Sequence, residues 1–176
     1  MKKILILLIC LVSISVSAQS LKGFYVQAAH ESGQIFFVFP QKMKVSETNI
    51  KVKASKLLYD YTHLTSENEV SMLSTVTINQ SSSFDAVCIN YSDGVTEKYD
   101  LEKIYVKPKS SKWQYRVRAT IPLEKIKKIY SSDQPFSLTY LSADGKMQIT
   151  YKDSPSRWNK IKPKFQKVLF LIDSNK

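Results

Sequence analysis

Apolar residues recur at every second position along much of this chain, and a period of two predicts β-strands. The cleanest run is Trp113, Tyr115, Val117, Ala119 and Ile121, with Gln114, Arg116, Arg118 and Thr120 filling the opposite face. Strands are also expected at Phe24 to Ala29, along the nearly continuous apolar run Ile35 to Phe39, and over Ile50 to Tyr61 with an interruption near Lys56. Val70, Met72, Val76 and Ile78 add another, broken only at Ser74.

In two places the alternation also selects a turn. Around Asp144-Gly145 a two-residue turn pairs Tyr140 with Ile149 and Leu138 with Tyr151, and the apolar residues of both strands then share a face. The same geometry around Ser92-Asp93-Gly94 would set Ile89 against Lys98 and Val87 against Asp100. A three-residue loop with Gly94 in the left-handed region moves the register by one. Val87, Ile89 and Tyr91 then share a face with Val95, Tyr99 and Leu101, and Glu97 is the one misfit.

Two segments change to helical spacing. Pro122 opens a short helix that carries Leu123, Ile126 and Ile129 and ends at Ser131-Ser132-Asp133. Near the C-terminus, Trp158, Ile161, Phe165, Val168, Leu169 and Ile172 keep helical intervals across Pro163. Because proline lacks an amide hydrogen and crowds the preceding turn, a turn or short helix through Ile161 and a separate helix from Pro163 to about Ile172 are expected. A final strand over Phe165 to Ile172 is the competing assignment. The predicted class is mainly β with minor α (α+β): an antiparallel sandwich or open barrel of about eight to nine strands, with one short inserted helix and a C-terminal helix.

The first residues follow another rule. Lys2 and Lys3, the apolar run Ile4 to Val12, and a fade through serines to Ala18 have the form of a bacterial secretory signal peptide. Cleavage is expected between Ala18 and Gln19, which gives residues 1–18 as signal and 19–176 as a single β-rich domain, periplasmic or secreted. The serines begin too early for a membrane span of about 20 apolar residues. Cys10 lacks the small preceding residue of a lipoprotein site and falls in the discarded segment, so Cys88 is the only thiol expected after processing.

Composition removes most familiar chemistries. With four glycines, two cysteines and two histidines, the chain has little material for phosphate-binding glycine loops, disulfide scaffolds or histidine-built metal sites. No Gly-x-Ser-x-Gly motif occurs, and His30 and His63 have only sequence-neighbouring carboxylates; no metal, cofactor or catalytic residue is assigned. The carboxylate pairs Glu67/Glu69 and Asp100/Glu102 are read as solvated faces.

Charge does change the picture. The chain carries a formal +11, unevenly spread. Residues 42–56 hold five lysines against one acid; residues 57–97 hold six acids and no lysine or arginine; residues 98–128 hold ten basic residues against three acids. Alternation directs Arg116 and Arg118 to the face opposite the core, and Lys51 and Lys53 likewise against Ile50, Val52 and Ala54. If these strands share a sheet, its outer face is basic. In the last helix, Lys160, Lys164 and Lys167 flank the Trp158/Phe165 stripe in a pattern also found at membrane surfaces.

The expected function is therefore an exported, non-catalytic binding protein whose basic sheet face, centred on Arg116, Arg118, Lys51 and Lys53, meets an anionic envelope component or a protein partner. Export disfavours nucleic acid. The alternatives are a small envelope hydrolase with His30 or His63 as base, and a structural or inhibitory partner that pairs through a sheet edge.

Overall fold

The computed structural model describes residues 21–49 and 51–176; the expected signal peptide and its cleavage site, Ala18/Gln19, lie outside the described residues. Among the described residues, ten strands occur in the order β1 (Tyr25–His30), β2 (Gly33–Thr48), β3 (Leu57–Leu64), β4 (Glu69–Ile78), β5 (Phe84–Asn90), β6 (Thr96–Asp100), β7 (Glu102–Lys109), β8 (Lys112–Pro122), β9 (Ser137–Ser142) and β10 (Gln148–Lys152). Helix α1 (Leu123–Ser131) follows β8, and helix α2 (Pro155–Ser174) ends the chain. All pairings are antiparallel.

Nine strands follow one path, β6-β5-β9-β10-β2-β3-β4-β8-β7, and β1 adds to β2 beside it. The long strand β2 makes this single curled sheet possible. Its first half pairs with β1 on one edge and β3 on the other, and its last residues, Lys44 to Thr48, pair with β10. Between Val38 and Gln41 the register slips around Pro40, which has no amide to give to a ladder. A bulge there bends and twists the strand, and that bend lets one strand serve both halves. The two ends of the path, β6 and β7, are consecutive in sequence. Leu101 joins them and its amide donates to the Asp85 carbonyl at 2.7 Å. The sheet is thus a half-barrel, the open-barrel form of the predicted class.

The concave face holds the core. Residues Leu57, Tyr59, Tyr61 and His63 of β3, Val70, Met72, Ser74, Val76 and Ile78 of β4, and Tyr115, Val117, Ala119 and Ile121 of β8 are all buried. Ser74, the break in the β4 pattern, accepts a hydrogen bond from the Tyr140 hydroxyl at 2.5 Å across the interior. Helix α2 closes this face with Trp158, Ile161, Phe165, Val168 and Ile172. The Tyr130 ring stacks on Phe165 at 3.9 Å and on Trp158 at 5.4 Å, and Tyr61 meets Phe165 edge-on.

Both hairpin registers agree with the alternation: Ile149 faces Tyr140 and Tyr151 faces Leu138, while Ile89 faces Glu97 and Val87 faces Tyr99. Gly94 has φ +85, as the three-residue loop requires. The Asp144-Gly145 turn is wider than expected. Ser142 pairs with Met147 through its amide, so residues 143–146 form the loop, but its centre and therefore the register are unchanged.

Other expectations are corrected. Residues 51–56 carry no strand, so Lys51 and Lys53 lie on a connector and do not alternate along a ladder; Lys53 gives its amide to the Asn79 side chain at 2.9 Å. Pro163 does not divide the last helix, and no final strand forms. The residue whose carbonyl it leaves without an amide partner, Asn159, is exposed to water, and the continuous stripe Trp158–Ile161–Phe165–Val168 holds both halves against the sheet. Ser154 caps this helix and Pro155 opens it. Strand β7 and the second half of β2 do not show in the hydrophobic pattern; every residue of β7 is exposed, so no alternation of burial marks it.

Candidate anion-binding groove

The convex face of the sheet is built by the residues that alternate with the core. Leu58 stands opposite Thr75, and Thr75 opposite Arg116, so neighbouring strands present one continuous row. On this face Arg116 and Arg118 emerge together, two residues apart on β8. Neither charge is unmatched. Arg116 donates through Nη2 to Asp60 Oδ2 at 2.7 Å and through Nη1 to Thr75 Oγ1 at 2.9 Å, a part-buried arrangement. Arg118 is paired with Glu102 on β7, in water.

Further along the same strands lies a groove of about 640 Å³. Four lysines line it: Lys42 from β2, Lys56 from the connector, and Lys109 and Lys112 from the two sides of the β7–β8 hairpin. Hydroxyls of Ser55, Thr75 and Thr77 contribute to its floor and rim, and no carboxylate lines it. Lys112 Nζ is positioned by a 2.9 Å hydrogen bond to Ser55 Oγ. Among the described residues, none of the four lysines has an ion-pair partner.

The hairpin that brings two of them together is locally unfavourable. Lys109 stands directly opposite Lys112 in register, and like charges so placed repel. The two residues between them are Ser110 and Ser111, and Ser110 has φ +55, a conformation that favours glycine. Lys42 and Lys56 extend the positive field into a smaller depression of about 100 Å³ that also includes Lys44, Arg157 and Asp153. Burial pushes the Asp153 carboxyl up to about 6, against the attraction of Arg157 at 3.0 Å.

Elsewhere, carboxylates of the acidic middle segment are matched by the following basic one. Glu97, the apparent misfit, accepts from the Tyr91 hydroxyl at 3.1 Å and the Tyr99 hydroxyl at 2.6 Å and pairs with Lys125. Lys125 foremost, then Tyr99, holds this carboxyl below its ordinary range. Asp93 pairs with Lys128 at 3.0 Å, and that ammonium also lies over the Tyr91 ring.

Lys51 and Lys53 are exposed but do not line the groove. The basic stripe of α2 is split by the fold: its aromatic residues Trp158 and Phe165 face the core, which leaves only Phe170 fully outside. His30 sits at the β1–β2 turn with Nδ1 3.0 Å from Ser32 Oγ. His63 is buried, with Nδ1 donating to the Glu69 carbonyl at 2.9 Å, and burial lowers its pKa. Neither histidine borders the groove. Among the described residues, no cluster of three His, Cys, Asp or Glu side chains could hold a metal, and no helix is long and apolar enough to cross a membrane.

Compared with known proteins, the chain matches no family model, no curated protein and no solved structure.

Proposed function

We propose that this protein is an exported, non-catalytic binding module that holds an anionic component of the cell envelope on the convex face of its sheet. The observation that supports this is the groove in which Lys42, Lys56, Lys109 and Lys112 converge without a carboxylate. Four like charges gathered in one concavity raise the local positive potential and attract an anion from a distance. Their repulsion also costs stability, and a bound anion relieves that cost. The hydroxyls of the lining suit phosphate, sulfate or carboxylate oxygens, which accept from both ammonium and hydroxyl groups.

The test is retention on a heparin or phosphocellulose column at low salt. Wild-type protein should be held and then released as salt rises, and K42E/K56E/K109E/K112E should pass through. Equal retention of that variant, with a native circular-dichroism spectrum, would refute the assignment.

A further inference from the structure

The run Ile35 to Phe39 is apolar on both faces, and strands of that kind are ordinarily covered on both. Here only Phe36 and Val38 are covered, by the core. Phe37 and Phe39 point outward and are each 41% exposed, and Val26, opposite Phe37 on β1, is 46% exposed. Ile35 lies on the same side, between Ala28 of β1 and Leu64 of β3. The result is a contiguous apolar patch across three strands, where scattered single exposures would need no explanation.

This patch and the lysine groove share the convex face. Phe37 stands opposite Thr62 and Lys42 opposite Leu58. Thr62 and Leu58 lie on one side of β3, four residues apart, which is about 13 Å along a strand.

We propose that the convex face docks on the surface of a lipid layer rich in anionic headgroups, with Val26, Phe37 and Phe39 entering the headgroup–acyl boundary and the groove lysines meeting lipid phosphates. The inference rests on the groove being an anion site and names the partner that it takes. A soluble polyanion satisfies the lysines but offers nothing to two exposed phenylalanines. A second copy of the chain docked through the patch would cover the phenylalanines and bring no anion to the lysines. A lipid surface presents phosphates and hydrocarbon within the 5–10 Å or so over which interfacial segments bury, a separation that a 13 Å span on a curved sheet can bridge.

The experiment is flotation of residues 19–176 with vesicles of phosphatidylcholine alone or with about one third phosphatidylglycerol, beside the heparin column. Wild-type protein should float with the anionic vesicles only. K42E/K56E/K109E/K112E should lose flotation by more than a hundredfold in partition, since each basic residue near such a surface contributes several-fold, and should lose column retention as well. V26S/F37S/F39S replaces exposed side chains; it should keep column retention and lose at least tenfold in vesicle partition.

Column retention of wild type without flotation would overturn the lipid assignment and leave the anion site standing. Flotation of the serine variant at wild-type level would also overturn it. Failure of wild type on both supports would remove the anion site itself. A concentration-dependent dimer that the serine variant abolishes would assign the patch to a second copy.

Discussion

Two cationic regions share one sheet face, and they differ in what surrounds each charge. On β8, Arg116 and Arg118 are matched by Asp60 and Glu102. At the hairpin end of the same strand, Lys109 and Lys112 meet Lys42 and Lys56 with no carboxylate between them. The first arrangement ties strands together, because Arg116 reaches across β4 to Asp60 on β3 and Arg118 meets Glu102 on the adjacent β7. The second works against the fold and in favour of a ligand. Net charge cannot distinguish them, since what matters is whether a counter-charge lies within a few ångströms.

The comparison is broken most completely by converting the groove. K42E/K56E/K109E/K112E should abolish retention on an anionic column, whereas K51E/K53E/K160E/K164E, the same change in net charge made outside the groove, should only lower the elution salt. Equal losses from the two variants would mean that net charge alone sets retention.

A second large effect concerns the depression beside the groove. Asp153 has a folded-state pKa raised by burial to about 6 from an ordinary 3.8. In the window between these values the unfolded chain releases its proton first, so ionisation costs folding stability progressively as pH rises from about 4 to above 6. D153N should therefore gain on wild type over that range, by roughly 2 to 3 kcal/mol from the size of the shift. Denaturation midpoints at pH 4 and pH 7 measure this, and a constant difference would contradict it.

Asp60 sharpens the contrast from the other side. Its ion pair with Arg116 is part-buried, the two side chains being 14% and 19% exposed. D60N should cost about 1 to 2 kcal/mol, because Arg116 loses its charged partner, and should increase column retention by releasing a guanidinium on the convex face. The smallest effect is expected at Glu102. Its pair with Arg118 is in water, and E102Q should change stability by under about 0.5 kcal/mol. A cost at Glu102 equal to that at Asp60, read from urea midpoints, would remove the distinction between the two pairs.

Much of the architecture is legible in the sequence. Alternation located β1, β4 and β8, and the clash of Val87 with Asp100 was enough to reject the wrong hairpin register. Three features were not legible. Strand β7 is exposed on both faces, so burial leaves no mark on its sequence. The second half of β2 follows a proline and carries mostly polar residues. Pro163 reads as a break because the penalty is local, whereas the aromatic packing that holds α2 continuous is contributed by residues far away, such as Tyr130 and Tyr61.

The candidate site divides in the same way. Arg116 and Arg118 are legible because alternate residues of a strand share a face whatever the rest of the chain does. Lys42, Lys56, Lys109 and Lys112 come from separate segments, and nothing in their local spacing announces that they meet. Period and turn chemistry, which act over a few residues, determined most of the strands, the register of both hairpins and the side of β8 on which the arginines emerge. Only the tertiary structure decided which charges are neutralised and which converge, because ion pairing and repulsion depend on distances between strands that curl together from opposite ends of the chain.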